Sequence, residues 1–506
     1  MGIEPTQALP LPPAWSSPEL TLLGKAARRH ILGGSLRILL AESLILPTGL
    51  ITASVLTRYL GPSKYGLFTL SSMVVLWIEF CVTSFFARST IKLIGDAAED
   101  WRPWSGSVVR IHLLIGSAAA LLLWLLSPKL GQLMSEPALA GYLRLFSLDI
   151  PLSSLATAHR NILIGRRRYR ERALASASRL MARLVLMVVL VVFGFSVEGA
   201  IWATIGASLL DLAVGRFYAR APLWGSFPVP TRKIWHYALP LFLSGVGLTL
   251  FEKLDLFVLK ILGTTAAVAG MYGAAQNLTI IPSLLGGALA PVLLAALTHA
   301  VRGGESSLAR ELSRDSIRFI VCVLPFAAMV AGAAPAIVVL VLGRAFAPTA
   351  TFLAFLIFAG FARLLIAVTT ATLIAADRPG CVLALTGSLA PMALIAHFVV
   401  IPRWGALGAS AVTTVLSLLS AGACVAAAYA SWNVAPSGPT LIRSTTISLL
   451  AYWLAMAWPA TGPFLLVKLA TISALILVAY LAAGEFGTNR VALIRTLARF
   501  KWPSQG

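Results

Sequence analysis

The chain of 506 residues is 58% hydrophobic and only 12% charged, with 40 Lys and Arg against 19 Asp and Glu. The charged share is about half that of a soluble domain, so a soluble multidomain fold, which must cover several cores with polar surface, is excluded. A net charge of +21 would suit a nucleic-acid partner, but its distribution along the chain accounts for it, and no nucleic acid is expected.

Residues 1–20 are Pro-rich and lack the basic n-region of a cleaved signal peptide. Residues 1–30 are expected to be a disordered cytoplasmic tail whose Lys25, Arg28, Arg29 and His30 flank the first span. Apolar runs of about 20 residues, long enough for a helix to cross a bilayer, follow one another. They lie at 33–57, 65–87, 107–127, 141–164, 173–194, 198–218, 236–259, 268–298, 318–342, 351–375, 381–401, 408–430, 444–460 and 463–483. A β-barrel would show short alternating segments instead. The eighth run is too long for a straight span and holds Pro282, Gly286, Gly287 and Pro291, so a kink or break is expected there. Every outer loop reads as short, the longest being Ser127 to Ala140, and residues 484–506 form a basic cytoplasmic tail.

With a cytoplasmic N-terminus, about 26 Lys and Arg residues fall inside and about 8 outside. Gly165 to Arg172, Arg216 to Lys233, Arg302 to Arg318 and Arg490 to Lys501 are the inner clusters. An even number of spans returns the C-terminus to the cytoplasm. Cys81, Cys322, Cys381 and Cys424 each fall within a span without C-x-x-C spacing, as inert buried thiols do.

The chain carries a short internal repeat. Thr57-Arg58-Tyr59-Leu60-Gly61 is followed by Tyr65-Gly66, and Leu259-Lys260-Ile261-Leu262-Gly263 by Tyr272-Gly273. Anchored on Leu-Gly, Arg58 superposes on Lys260, six spans on. An even-numbered repeat keeps its orientation, so two six-helix lobes (31–220 and 234–430) related by a pseudo-twofold along the membrane normal are expected, with two further helices at 444–483. The expected class is therefore an all-α polytopic membrane protein of about fourteen transmembrane helices.

Tyr65 to Leu70, with its helix ending in Ala87-Arg88, is similar to the second span of Wzx-type polysaccharide-biosynthesis flippases. Ala238-Leu239-Pro240-Leu241 with Leu254-Asp255 and Leu259 resembles their seventh span. Tyr272-Gly273-Ala274-Ala275, in a helix running to Pro291, resembles their eighth. The resemblance covers nearly the whole chain and is specific to the multidrug, oligosaccharidyl-lipid and polysaccharide exporter superfamily. The first-span pattern usual in relatives that move lipid II is absent. The resemblance implies alternating access in the inner membrane. It further implies translocation of a polyprenyl-diphosphate-linked oligosaccharide to the periplasmic leaflet, for O-antigen, capsule or exopolysaccharide synthesis. A polysaccharide polymerase and chain-length machinery would be further partners.

The residues themselves offer no enzyme signature. There is no G-x-x-x-x-G-K-[ST] and no G-x-S-x-G, and the six histidines lack metal-ligand spacing. No cofactor or metal is expected. A charge inside a span faces a cavity or a partner. Arg363, in mid-span, is either a cavity contact for a diphosphate or acidic sugar, or half of an ion pair with Asp255 or Glu252. Glu252, Lys253 and Asp255 set an acidic face beside a basic one, as a cavity site or as charge compensation within one helix. Arg179 and Arg183, four apart, serve a vestibule for the headgroup or snorkel to lipid, and Arg37 and Arg88 carry the same alternatives. Gln276 and Asn277 bond sugar hydroxyls or a neighbouring helix. Glu42, Glu79, Asp149 and Asp211 are candidate H+ or Na+ coupling sites, or partners of the arginines. A drug antiporter and a membrane glycosyltransferase are the rival functions. The short outer loops disfavour the second.

Overall fold

The computed structural model describes residues 41–96, 101–222, 251 and 253–485, and helices with short turns make up the fold throughout. Helix α1 (Ile45–Asp96) runs through the first two expected spans and breaks at Gly61, where φ is 69°. Glycine adopts that backbone without steric cost, and Pro62 restarts the helix at a position that needs no N–H. Then come α2 (Trp101–Leu133), α3 (Pro137–Phe146), α4 (Asp149–Gly165), α5 (Tyr169–Val192) and α6 (Ser196–Ala219). After residues 253–261, helical and called α7, come α8 (Ala266–Leu278), α9 (Ile280–Arg302), α10 (Ser306–Val321), α11 (Leu324–Gly332) and α12 (Ala334–Leu342). Helices α13 (Thr349–Ala375), α14 (Pro379–Gly387), α15 (Leu389–Trp432), α16 (Gly438–Ala457) and α17 (Phe464–Ala482) complete the chain. Helix α15 repeats the device of α1, breaking at Gly405 with φ 55°.

Nine of the described helical stretches are long and apolar enough to cross a membrane, and two of them, Ala41–Ser84 and Pro379–Trp432, each cover two expected spans. The helices are consistent with fourteen crossings. The expected break in the eighth span falls at Thr279, between α8 and α9. The ring of Pro282 cannot accommodate the carbonyl of Leu278 four residues earlier, which ends α8 there. Pro291 continues within α9. The same rule places the break between α3 and α4 at Ser147, four residues before Pro151. One expectation is corrected. Residues 127–140 are not a loop, because α2 continues through Pro128 to Leu133 and only residues 134–136 separate it from α3. At 33 residues α2 is about 50 Å long, so it projects beyond the hydrocarbon.

The buried cores show how the lobes meet. One core joins Leu56, Tyr65, Leu139 and Ile201 of the first lobe with Leu256, Tyr272, Val338 and Leu353 of the second. It lies toward the face carrying Gly61 and Gly263, the outer face by the charge pattern. Toward the opposite face the cores of the described residues are separate. Ile94, Trp101, Ile162 and Ala219 form one, and Leu297, Ile317, Leu364 and Cys424 the other.

Helix α16 packs on α11, and α17 packs on both. Their attachment is polar at one end. Glu485, only 2% exposed, accepts from Arg318 Nε at 2.6 Å, Arg443 at 2.8 Å and Thr440 at 2.5 Å. Burial works against its charged form, but these bonds outweigh it and hold the carboxyl below its ordinary value. A carboxyl depressed on folding stabilises above its unfolded pKa, and that stability is lost as pH falls through the folded one. Glu485→Gln is therefore expected to lower stability by about 1–3 kcal/mol at neutral pH, because it takes the carboxylate from the half-buried Arg318 and weakens the bonds that Glu485 accepts. Thermal unfolding in detergent should show the deficit, and the deficit should shrink in acid.

Candidate functional site

At the face that carries Gly61 and Gly263 the lobes are locked in three ways. Helices α1 and α8 cross at glycines. A Cβ on Gly66 would stand 1.8 Å from the Ala266 carbonyl oxygen, and one on Gly270 2.4 Å from that of Pro62. Arg58 donates from Nη2 to the Leu340 carbonyl of α12 at 2.6 Å. Lys260, 2% exposed, pairs with Glu136 at the start of α3 at 2.9 Å. The two latches are reciprocal. Arg58, before the break in α1, reaches α12 of the other lobe, and Lys260, near the end of α7, reaches the turn between α2 and α3; each is followed by a glycine of positive φ, Gly61 (69°) and Gly263 (90°). The sequence repeat that superposes Arg58 on Lys260 thus has a structural counterpart.

Beneath this closure lies a cavity of about 350 Å³. The second arm of α1 lines it with Trp77, Glu79 and Phe80, α4 with Ser153, Thr157 and Arg160, α5 with Arg179, and α7 with Lys253. Trp77 packs against Phe257 of α7, 5.4 Å between ring centres, so the wall crosses from one lobe to the other. Asp149 (1% exposed) faces Glu79 (8%), with Arg179 close enough to act electrostatically on both. Arg183 neighbours the same two acids and Tyr65. Arg179 and Arg183 therefore turn into the lobe rather than out to the lipid headgroups. Arg160 pairs with Asp211 at 3.0 Å, and Arg172 with Glu42 at 3.1 Å.

Asp255 is the hub of a hydrogen-bonded network at the root of the second lobe. Its Oδ1 accepts from the Leu256 amide and from Gln276 Nε2, both at 2.8 Å. Its Oδ2 accepts from the Tyr272 hydroxyl at 2.6 Å and from Thr413 at 3.0 Å, binding α7 to α8 and α15. Gln276 in turn accepts from Lys253 Nζ at 3.0 Å. Asn277 donates to the Tyr65 hydroxyl of the first lobe at 3.1 Å. Both amides are thus committed to helix–helix bonds in this state, at the same end of α8.

Arg363 lies in the middle of α13, between the buried residues Phe361, Ala362 and Leu364. Its Nε is buried without a hydrogen-bond partner, and no carboxylate of the described residues lies within 4.0 Å of it. Asp255 is already satisfied by four other donors. Glu252, Arg37 and the side chain of Arg88 lie outside the described residues. No group of metal-ligating side chains forms among the described residues.

Sequence reasoning singled out neither Arg160 nor Glu136. Arg160 stands near the end of a span next to the Arg166–Arg168 loop, which disguises it as an inner flank. Glu136 sits in what reads as an outer loop, and only the repeat, by marking Lys260, pointed toward its partner.

Fold and site together define a helical membrane protein of two lobes, closed at one face above a charged cavity that both lobes line. The chain belongs to the polysaccharide biosynthesis protein family, whose model matches residues 55–351. The fold is similar to that of the lipid II flippase MurJ in an inward closed conformation, with a TM-score of 0.70 at 11% identity over 91% of this chain and 100% of that one. It is also similar to an inward-facing multidrug resistance MATE family transporter of the MOP superfamily, at 0.62 and 14% over 80% and 96%. The MATE transporter VcmN of Vibrio cholerae matches at 0.57 and 14% over 83% and 98%. No curated protein sequence matches the chain.

Proposed function

We propose that this chain is a flippase that carries a polyprenyl-diphosphate-linked oligosaccharide from the cytoplasmic to the periplasmic leaflet of the inner membrane by alternating access. One observation carries the reading. Among the described residues the lobes share a core at the outer face and keep separate cores toward the inner one, with a cavity between them lined by Arg160, Arg179 and Lys253. A glycan pushed through hydrocarbon would strand each hydroxyl without a partner, at several kcal/mol apiece, so a polar path is needed, and basic groups suit the diphosphate. The family's role in polysaccharide biosynthesis and the flippase and transporters of like fold support the same reading. The decisive measurement is deletion of the gene in its own host. The expected result is accumulation of the lipid-linked glycan in the inner leaflet. An unchanged leaflet distribution would overturn the proposal.

Glu79, Trp77 and Phe80 on the same wall would also receive an organic cation, as in a drug exporter. Among the described lining residues, Arg160, Arg179 and Lys253 stand against Glu79 and favour the anionic cargo.

The charge cluster also suggests how cargo couples to an ion. Arg179 and Arg183 neighbour Glu79 and Asp149, so an arriving diphosphate competes for the arginines and frees the carboxyls to take protons. Proton coupling is thus proposed for Glu79 and Asp149, whereas Glu42 and Asp211 already hold arginines of their own. In proteoliposomes, Glu79→Gln is expected to bring the gradient-driven rate down to the rate without a pH gradient. Full gradient dependence in the variant would remove Glu79 from the coupling step.

A further inference from the structure

A second basic cleft lies outside the cavity, where the helices of the first lobe end at the inner face. It has a volume of about 500 Å³, and its walls include Trp101 and Arg102 at the start of α2, Arg166 and Arg168 between α4 and α5, and Tyr218 and Arg220 at the end of α6. Arg166 lies over the buried Trp101 ring, 3.9 Å from its centre, which fixes the guanidinium in place. Arg168 is fixed differently. It donates to the Tyr218 carbonyl at 2.7 Å and to Glu171 at 3.0 and 2.7 Å. Glu171 is the only acid among the described residues that acts on Arg166, and Arg168 already engages it. Burial first, then the charges of Arg168 and Arg102, push the Arg166 guanidinium down from its ordinary value. Arg168 has Glu171, but Arg102, Arg166 and Arg220 have no carboxylate within 4.0 Å among the described residues, an arrangement that a bound anion would relieve.

We propose that this cleft binds a phosphate-bearing anion through Arg102, Arg166 and Arg220, with Arg168 as the positioning residue that holds the Arg166–Arg168 loop to α6. The cleft sits where helices leave the apolar region, and a Trp and a Tyr line it beside the arginines. This is the composition that a protein presents at headgroup depth. The phosphate of an anionic lipid headgroup is therefore one source, and soluble phosphate or pyrophosphate is the other.

The test uses the full chain in neutral detergent, with wild type compared against Arg166→Gln, Arg220→Gln and the conservative Arg166→Lys. In one arm, phosphatidylglycerol or phosphatidylcholine is added and retained lipid is read by native mass spectrometry. In the other, inorganic phosphate and pyrophosphate are titrated and thermal stability is followed. The expected result is retention of phosphatidylglycerol over phosphatidylcholine, weakened about tenfold by each Gln variant and less by Arg166→Lys. Phosphate or pyrophosphate stabilisation lost in the same Gln variants, without lipid preference, also supports the site and assigns it to a soluble ion. Binding by the Gln variants equal to wild type in both arms overturns the proposal. So does absence of binding by wild type, the result expected if Glu99 and Asp100, which precede Trp101 in sequence, neutralise the cleft. Unfolding temperatures of the variants without ligand, equal to wild type, separate lost binding from lost structure.

Discussion

Gly270→Val is expected to abolish transport while the chain still inserts and stays folded. Gly270 stands where α8 meets α1, and a Cβ there would be 2.4 Å from the Pro62 carbonyl oxygen and 2.8 Å from the Cα and amide nitrogen of Gly66. All of these are backbone atoms, so no side chain can turn aside to make room. The cost falls only on the state in which the outer face is closed. Overpacking of this kind costs about 1–3 kcal/mol, and a difference of that size shifts a two-state equilibrium about 5- to 150-fold toward the open outer face. The remaining latches, Lys260–Glu136 and Arg58–Leu340, are too few to restore closure against a backbone clash. The shift can be read independently of transport. Ala269 is fully buried in the joint core. In a background without other cysteines, Ala269→Cys should resist an impermeant maleimide and become reactive when combined with Gly270→Val. Wild-type transport together with an unlabelled cysteine would show that the crossing does not set the closed state.

Arg363→Ala is expected to lose most transport at nearly normal stability, and Arg363→Lys to keep part of it. Among the described residues the guanidinium has no carboxylate partner, and its Nε is buried without a bond. Removing a paired buried charge would strand its partner and unfold the helix packing. Removing this one strands no described acid, since Asp255 keeps its bonds from Tyr272, Thr413, Gln276 and Leu256. The loss should therefore appear in cargo binding. A charge-assisted contact contributes about 1.5–3 kcal/mol, or roughly ten- to hundredfold in affinity. Lysine keeps the charge and loses the planar fork. Purified yield and melting temperature, set beside the transport rate, decide the matter. Poor yield of Arg363→Ala, rescued by also replacing Glu252 with Gln, would make Arg363 a structural ion-pair partner.

The membrane-spanning class and the break in the eighth span were legible in the chain because each is a local property. A run of about 20 apolar residues has no stable alternative to a helix in lipid. Pro282 and Pro151 end helices four residues upstream through their own rings. The stretch 127–140 was misread for a local reason as well. Its Ser, Pro and Lys look like a turn, yet Pro128 fits within the helix, and a helix that outruns the bilayer has no need of apolar residues there.

The partners of the charges were decided only in three dimensions. Spacing along one helix shows that Arg179 and Arg183 share a face, but not whether that face meets lipid or Glu79 and Asp149. It shows Asp255 beside Lys253, but not that Asp255 spends its oxygens on Tyr272, Gln276 and Thr413 from two other helices. Lys260 and Glu136 are 124 residues apart, and nothing local in either says that they meet. A helix forms from bonds among near neighbours, so sequence dictates it. A buried charge is stabilised by whatever stands within a few ångströms, and only the packing of the two lobes brings those groups together.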